Sequence, residues 1–553
     1  ALEYDDIAAN EVVNANAKIK DENAIKKGLI YYLVSNKEIL DRIIIKANLV
    51  PFDMSNHQYW QQFSSIGLGS YFSDLEKDTL KFDKYKNNNI GILEAGNGLI
   101  DYESPHFANR VIFKKDSGEI NWHADLVARI TSSSAYGIDQ YSMVYSAGFG
   151  KYNNNGQMWN FLKSVDWLVE SGVRLINCSW GNAKTKETDP DFYTYDELAF
   201  KLDYISRKFG IVIFKSAGND HDYFKPYFRA STLAVNSIVV GSTTPVGNDI
   251  SIFSDYEKYP NFNFTKDSPK PLVVTPGEAY IYKNSGKNGT SFAAPVATGV
   301  TSLLMKEFDK LIQNPAAVMA TLTASSVPLR WVSDEIRNNG LWNKVGAGLI
   351  NYNNARLAAK NLLTADIENN IGQDEVVLKS NEFVLETEQE LTIGVASLFN
   401  GGYVKLASLR NLLPTKGSFN SIPIIGPIYS VIANQINKNR TDAYKQMLSD
   451  EITEEKLKRV INQYNLDENP LSPPILRVVI YRKSKNGKYW EKMKPDIDPQ
   501  SKSSTVKKYL FKNGLERGIF KYEVLIHKPA VHIEYDWTKN KIAATHMIRN
   551  KNN

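Results

Sequence analysis

Asn288-Gly289-Thr290-Ser291-Phe292-Ala293-Ala294-Pro295 runs directly into Val296-Ala297-Thr298-Gly299-Val300. A turn of small residues presents one serine, and a helix-compatible run follows through Leu304 and Phe308. Ser291 is therefore expected at or beside a helix N-terminus, where unpaired backbone N–H groups and the helix dipole favour negative charge. A hydroxyl that attacks a carbonyl and then sits beside an oxyanion suits that position. The same residues also suit a plain helix cap, because Thr and Ser are both common there. The rest of the chain has to separate these two readings.

Outward from this stretch, short apolar runs alternate with helical patterns. Ile90-Gly91-Ile92-Leu93 reads as a buried strand ending in Glu94-Ala95-Gly96-Asn97-Gly98. Val111-Ile112-Phe113 follows, and then a helix that His123 opens, with Leu126, Val127 and Ile130 on one face. Further strands are expected at 142–145, 174–178, 211–214 and 237–240, and helices at 158–169 and 196–209. Strands and amphipathic helices in alternation predict an α/β domain with a mostly parallel, doubly wound sheet. In such sheets functional residues gather just beyond the strand C-termini, where Glu94, Ser179 and Asn219 lie. Residues 315–329 and the run to about 363 read as closing helices.

After Thr364 the period shifts toward two. Strands are expected at 376–378, 383–385, 391–395, 476–481, 506–511, 519–526 and 531–535, with turns at Asn486-Gly487 and Asn513-Gly514. This predicts a C-terminal antiparallel β-sandwich-like domain over 365–553, interrupted at 405–474 by an insertion with helical spacing at Leu457, Val460, Ile461 and Tyr464. The α/β domain is placed at 81–364. Residues 1–80 are polar and helix-prone, and are read as a helical N-terminal extension.

A chain of 553 residues is too long for one hydrophobic core, so two or three domains are expected. Hydrophobic content of 42% and charged content of 23% are those of a soluble globular protein. The net charge of +5 is mild and the lysines are scattered, which argues against nucleic acid as a partner. No apolar run reaches the roughly eighteen residues needed to span a bilayer. The single cysteine, Cys178, cannot form an internal disulfide and sits in an apolar run, where it reads as a small buried hydrophobe.

Nucleophilic acyl transfer needs a hydroxyl, a base, a group that orients the base, and donors for the oxyanion. In chain order, Glu94, His123, Asn219 and Ser291 supply these types. Singly, each has a bland reading: a solvated strand-end acid, a structural histidine, a turn asparagine, a capping serine. As an ordered set at strand ends and helix starts of one α/β domain, they point to a single site.

At this point the region from about 85 to 362 resembles the catalytic domain of the subtilisin-like serine proteases. Gly289-Thr290-Ser291-Phe292-Ala293-Ala294-Pro295 matches the family's Gly-Thr-Ser-x-Ala-x-Pro. His123-Ala124-Asp125-Leu126-Val127-Ala128 is similar to His-Gly-Thr-His-Val-Ala, and Ala217-Gly218-Asn219 matches Ala-Gly-Asn. Ile176-Asn177-Cys178-Ser179-Trp180-Gly181 is similar to the Ile-Asn-x-Ser-Leu-Gly segment that lines the substrate groove. The resemblance implies a serine endopeptidase acting through an acyl-enzyme. Ser291 is then nucleophile and His123 general base, and Asn219 donates to the oxyanion with the Ser291 backbone N–H. It also implies substrate-binding backbone at Ser179, Trp180 and Gly181, and at Ser216, Ala217 and Gly218, with Trp180 adding bulk to a subsite.

The chain departs from the family in several places. Glu94-Ala95-Gly96 stands where the family has Asp-Ser/Thr-Gly, so the orienting acid is one methylene longer. Asp125 and Asp101 are further acids in the same region, and Arg129 and Val296 replace the family's usual residues. Asp220, next to Asn219, is expected to favour a basic side chain in the main specificity pocket. No organic cofactor is expected. Calcium is common in the family, but no ligand set assembles here. The expected setting is secreted or cell-surface, and the Asn-, Lys-, Ile- and Tyr-rich composition suggests a bacterial source. The expected partners are a protein or peptide substrate, and a partner protein through the N-terminal extension or the 405–474 insertion. The rival reading is a weak or inactive subtilisin-fold subunit that serves docking or assembly.

Overall fold

A computed structural model describes residues 59–150, 157–181, 197–219, 234–256, 270–329, 335–367, 375–387, 389–399, 475–501, 504–511, 517–527 and 540–550. The readings placed on residues 1–58, Asp220, 405–474 and 531–535 fall outside these residues.

Seven strands form the central sheet: β1 (Ile90–Glu94), β2 (Val111–Phe113), β3 (Val144–Gly148), β4 (Leu175–Cys178), β5 (Val212–Ser216), β6 (Ile238–Thr243) and β7 (Val273–Pro276). Their order is β2-β3-β1-β4-β5-β6-β7, and every pairing is parallel. The chain leaves β1 toward one edge and later resumes on the other side with β4. The order therefore reverses between β1 and β4, and ligands in such sheets bind outside the strand C-termini at that crevice. Glu94 closes β1, and Ser179 follows β4.

Helices cover both faces, as an all-parallel sheet requires. Successive side chains alternate between the two faces. Ile90 and Ile92 of β1, with Val212 and Phe214 of β5, enter one core. Leu93 and Ile213 enter the other. The first core is built on α3 (Trp122–Ser132), α6 (Thr290–Glu307), α7 (Pro315–Ser325) and α8 (Tyr352–Lys360). Two short helices, α1 (Trp60–Ser65) and α2 (Gly69–Glu76), pack into the same core through Tyr59, Phe63, Tyr71, Phe72 and Leu75. The second core holds α4 (Gln157–Glu170) and α5 (Glu197–Phe209).

A hairpin of β8 (Tyr280–Tyr282) and β9 (Ser285–Lys287) leads directly into α6. C-terminal to α8 the strands are antiparallel. One sheet is β10 (Leu363–Ile367), β18 (Asn540–Asn550), β13 (Gln389–Ser397) and β16 (Val506–Phe511), in that order. The other runs β11 (Glu375–Lys379), β17 (Gly518–His527), β14 (Ile475–Lys483) and β15 (Trp490–Met493), with β12 (Phe383–Leu385) also on β17. Their apolar faces meet in the second core, through Leu391, Ile393 and Tyr509 from one sheet and Phe520, Tyr522 and Val524 from the other. The fold class is α/β with added C-terminal antiparallel sheets, as the sequence predicts.

Candidate active site

The start of α6 is fixed by its neighbours. Gly289 is the residue before the helix, and Ser291 is its second residue. The Thr290 N–H donates to Asn219 Oδ1 at 2.8 Å, and the Phe292 N–H to the Gly289 carbonyl at 2.9 Å. Among the described residues the Ser291 N–H meets no acceptor, so it is the donor this turn leaves open. Pro295 has no N–H, so the Ser291 carbonyl lacks its usual partner four residues on. Ser179 Oγ donates to that carbonyl instead, at 2.7 Å. Ser291 Oγ in turn rests on the Ser179 carbonyl at 3.2 Å. Asn177 Nδ2 holds Ser179 Oγ at 2.8 Å, and Asn177 Oδ1 accepts from Thr298 Oγ1 at 3.2 Å. The proline of the serine motif thus joins the helix to the C-terminal end of β4.

His123 enters from α3, whose first turn is capped by Asn121 Oδ1 on the His123 N–H at 2.8 Å. Its Nδ1 lies 2.8 Å from Glu94 Oε2. A buried carboxylate can only accept there, so Nδ1 carries the proton and Nε2 keeps its lone pair. Burial pushes the imidazole toward its neutral form, but the charge of Glu94 and its hydrogen bond oppose this, and the net pKa is raised above 6.5. The ring centroid lies 5.7 Å from that of Phe292, the residue after Ser291.

The extra methylene of Glu94 has a specific accommodation. Its carboxylate curls back so that Oε1 accepts the Ala95 N–H at 3.0 Å while Oε2 faces the ring. A Cβ on Gly98 would fall 2.6 Å from Glu94 Cγ. Gly98 therefore leaves the space that the longer acid occupies.

Asn219 sits just past β5, where it is exposed. Its Oδ1 also accepts from Thr290 Oγ1 at 2.9 Å, which fixes the amide orientation, because Thr290 N–H can only donate. Nδ2 is then the end turned outward as a donor. Gly218 has φ of +117°, and a Cβ there would lie 2.1 Å from Asp255 Oδ2. Only glycine fits this corner, and the Gly218 N–H donates to Thr290 Oγ1 at 3.1 Å.

The remaining sequence-predicted residues divide. Gly181 is exposed beyond β4, and Ser179 is tied to Ser291 as described. Ser216 and Ala217 are buried under the turn that carries Asn219. Trp180 does not add bulk to an open subsite. Its ring is buried edge-on against Phe149 and Phe161, with the Lys215 ammonium 4.7 Å above it, and Lys215 also donates to the Trp180 carbonyl. Cys178 is fully buried, and burial pushes its thiol up to about 12, so it is no nucleophile. Asp125 points to Arg129, 2.6 Å away one helical turn on, and does not compete for His123. Thr290, Asn177 and Gly98 carry weight that the sequence reading did not assign. For Thr290 the signal was its place beside the serine; for Gly98 it was a glycine four residues after an over-long acid. Among the described residues no group of three or more His, Cys, Asp or Glu is placed to hold a metal. No described helix is long and apolar enough to cross a membrane.

Residues 98–348 match the model of the subtilase family, Peptidase_S8. His123, Asn219 and Ser291 fall inside that stretch, and Glu94 lies just ahead of it. Among solved structures, the Prenylagaramide maturation protease PagA is 18% identical, with a TM-score of 0.40, covering 53% of this chain and 98% of that one. A cold adapted subtilisin-like serine proteinase is 20% identical, with a TM-score of 0.35, covering 49% of this chain and 90% of that one. No curated protein sequence matches. Over those residues the chain is similar to the subtilase family, which supports a serine-protease kind of chemistry.

Proposed function

We propose that the chain is a serine endopeptidase working through an acyl-enzyme on Ser291, with His123 as general base and Glu94 as the orienting acid. The observation that carries this is the 2.8 Å contact between Glu94 Oε2 and His123 Nδ1, which leaves Nε2 as the free base at the mouth of the β1/β4 crevice. Ser291 Oγ, at rest on the Ser179 carbonyl, turns to Nε2 when substrate binds. Apo hydrogen bonds of this kind often tighten only in the complex. The oxygen attacks the scissile carbonyl carbon while its proton passes to Nε2. The resulting oxyanion takes the Ser291 N–H and Asn219 Nδ2, which meet no acceptor among the described residues. Imidazolium then protonates the leaving nitrogen, and the C–N bond breaks. Water, deprotonated by the same Nε2, releases the acid and restores Ser291. Removing one such oxyanion donor costs about 10²–10³ in kcat in a related chemistry.

The test is hydrolysis of an unstructured protein and of matched peptide and ester substrates by the wild type and by Ser291→Ala. Cleavage of the protein that disappears in the variant supports an endopeptidase. Turnover of the ester alone makes the site an esterase. A folded wild type that turns over none of them leaves a docking subunit.

A further inference from the structure

Among the described residues the imidazole has two aromatic neighbours, of opposite character. Phe292 is buried at 3% exposure, whereas Trp122, the residue directly before His123, is 45% exposed. The Trp122 ring stands edge-on to His123 with centroids 5.5 Å apart. It also lies 6.0 Å from the ring of Tyr282 on the hairpin that feeds α6, and Lys287 Nζ sits 4.8 Å over it. Ile120, two residues earlier, is 52% exposed. An indole left half in water beside the reacting base has an apolar surface to offer and no core to serve.

The chemistry fixes what reaches it. In the peptidase reading, on which this inference rests, His123 gives its proton to the leaving nitrogen. The departing peptide therefore begins at the imidazole, and its first side chain emerges among the ring's neighbours. The exposed one is Trp122. We propose that Trp122, with Tyr282 beside it, is a specificity-determining residue that binds an apolar or aromatic side chain at the first position after the scissile bond. Lys287 and Lys283 border this ledge, so the rival ligand is an acidic side chain recognised by charge.

The experiment uses the full chain and a set of peptides identical up to the scissile bond, with Leu, Phe, Gly or Asp directly after it. The wild type is expected to cleave the Leu and Phe peptides with kcat/KM about tenfold above Gly, the scale of one apolar side-chain contact. Trp122→Ala is expected to bring Leu, Phe and Gly within about twofold of one another, and Trp122→Phe to keep the preference. A merely structural role lowers all four peptides together and leaves their ratios alone, which overturns the proposal. So does a wild-type preference for Asp, or no preference at all. A fluorophosphonate probe carries no residue on the leaving side and reads Ser291 separately. Failure of the wild type to label overturns the peptidase reading itself; labelling with flat peptide ratios overturns only the role of Trp122.

Discussion

Gly98→Ala is the substitution that separates a working Glu94 from a bystander. The added Cβ would lie 2.6 Å from Glu94 Cγ, where carbon atoms settle at about 3.5–4.0 Å. One of the two must move by about 1 Å. The new methyl cannot easily retreat, because Asn121 Cβ already stands 3.2 Å away and the Ala95 carbonyl oxygen 3.4 Å away. Gly98 is not among the residues with positive φ, so alanine adds no backbone strain of that kind. Glu94 is therefore displaced and its grip on Nδ1 is lost. A misplacement of about 1 Å costs about 10²-fold in rate, and loss of the orienting acid altogether about 10⁴-fold, so the expected fall in kcat lies between these. The assay pairs peptide turnover with a nuclear magnetic resonance titration of His123. With Glu94 displaced, burial is no longer offset, and the imidazole pKa falls below its wild-type value. A thermal melt confirms that the variant is folded. Wild-type turnover together with an unshifted His123 would refute the reasoning.

Four further outcomes are expected. Activity should rise with pH through a His123 pKa above 6.5, because the base must be neutral, and Glu94→Gln should move that inflection downward while lowering the plateau; an unchanged inflection in the variant counts against the contact. The stabilising share of the same pair has the opposite sense: it is fully present below the unfolded value and is lost as pH rises through the raised folded one, which urea titrations at several pH values will read. Cys178 should not react with a thiol reagent at pH 8 in the native state and should react stoichiometrically on unfolding, since its thiol is pushed up to about 12; fast native labelling contradicts its burial. Lys306→Ala should destabilise by about 3–5 kcal/mol, because it strands Asp139, whose ion pair at 2.7 Å is fully buried on both sides; a shift in urea midpoint corresponding to less than about 1 kcal/mol argues against that pair.

The site was legible where local chemistry and position coincide. The serine motif reads as a turn and helix start in its own residues, and the short parallel strands read as apolar runs because both of their faces are covered. Glu94, His123 and Asn219 could be placed because they close a strand, open a helix and follow a strand end, respectively. Side-chain direction was harder to read. Trp180 looked like a groove residue, yet its ring turns inward, since the residue at the crossing of β4 packs on the Phe149–Phe161 side. Strand β18 (Asn540–Asn550) was missed for a physical reason. Ala543, Ala544 and Thr545 are buried together, with α7 on one face and the second sheet on the other, so no alternation marks it. The accommodation of Glu94 by Gly98 needed coordinates, because nothing in the spacing says which glycine lies beneath which side chain.

The most direct measurement is reaction of the intact protein with a fluorophosphonate probe, followed by mass mapping of the adduct in the wild type, Ser291→Ala, His123→Ala and Glu94→Ala. The account predicts a single adduct on Ser291, absent from the first variant and formed far more slowly in the other two. An adduct on another residue, or equal labelling of Ser291 with and without His123 and Glu94, contradicts it.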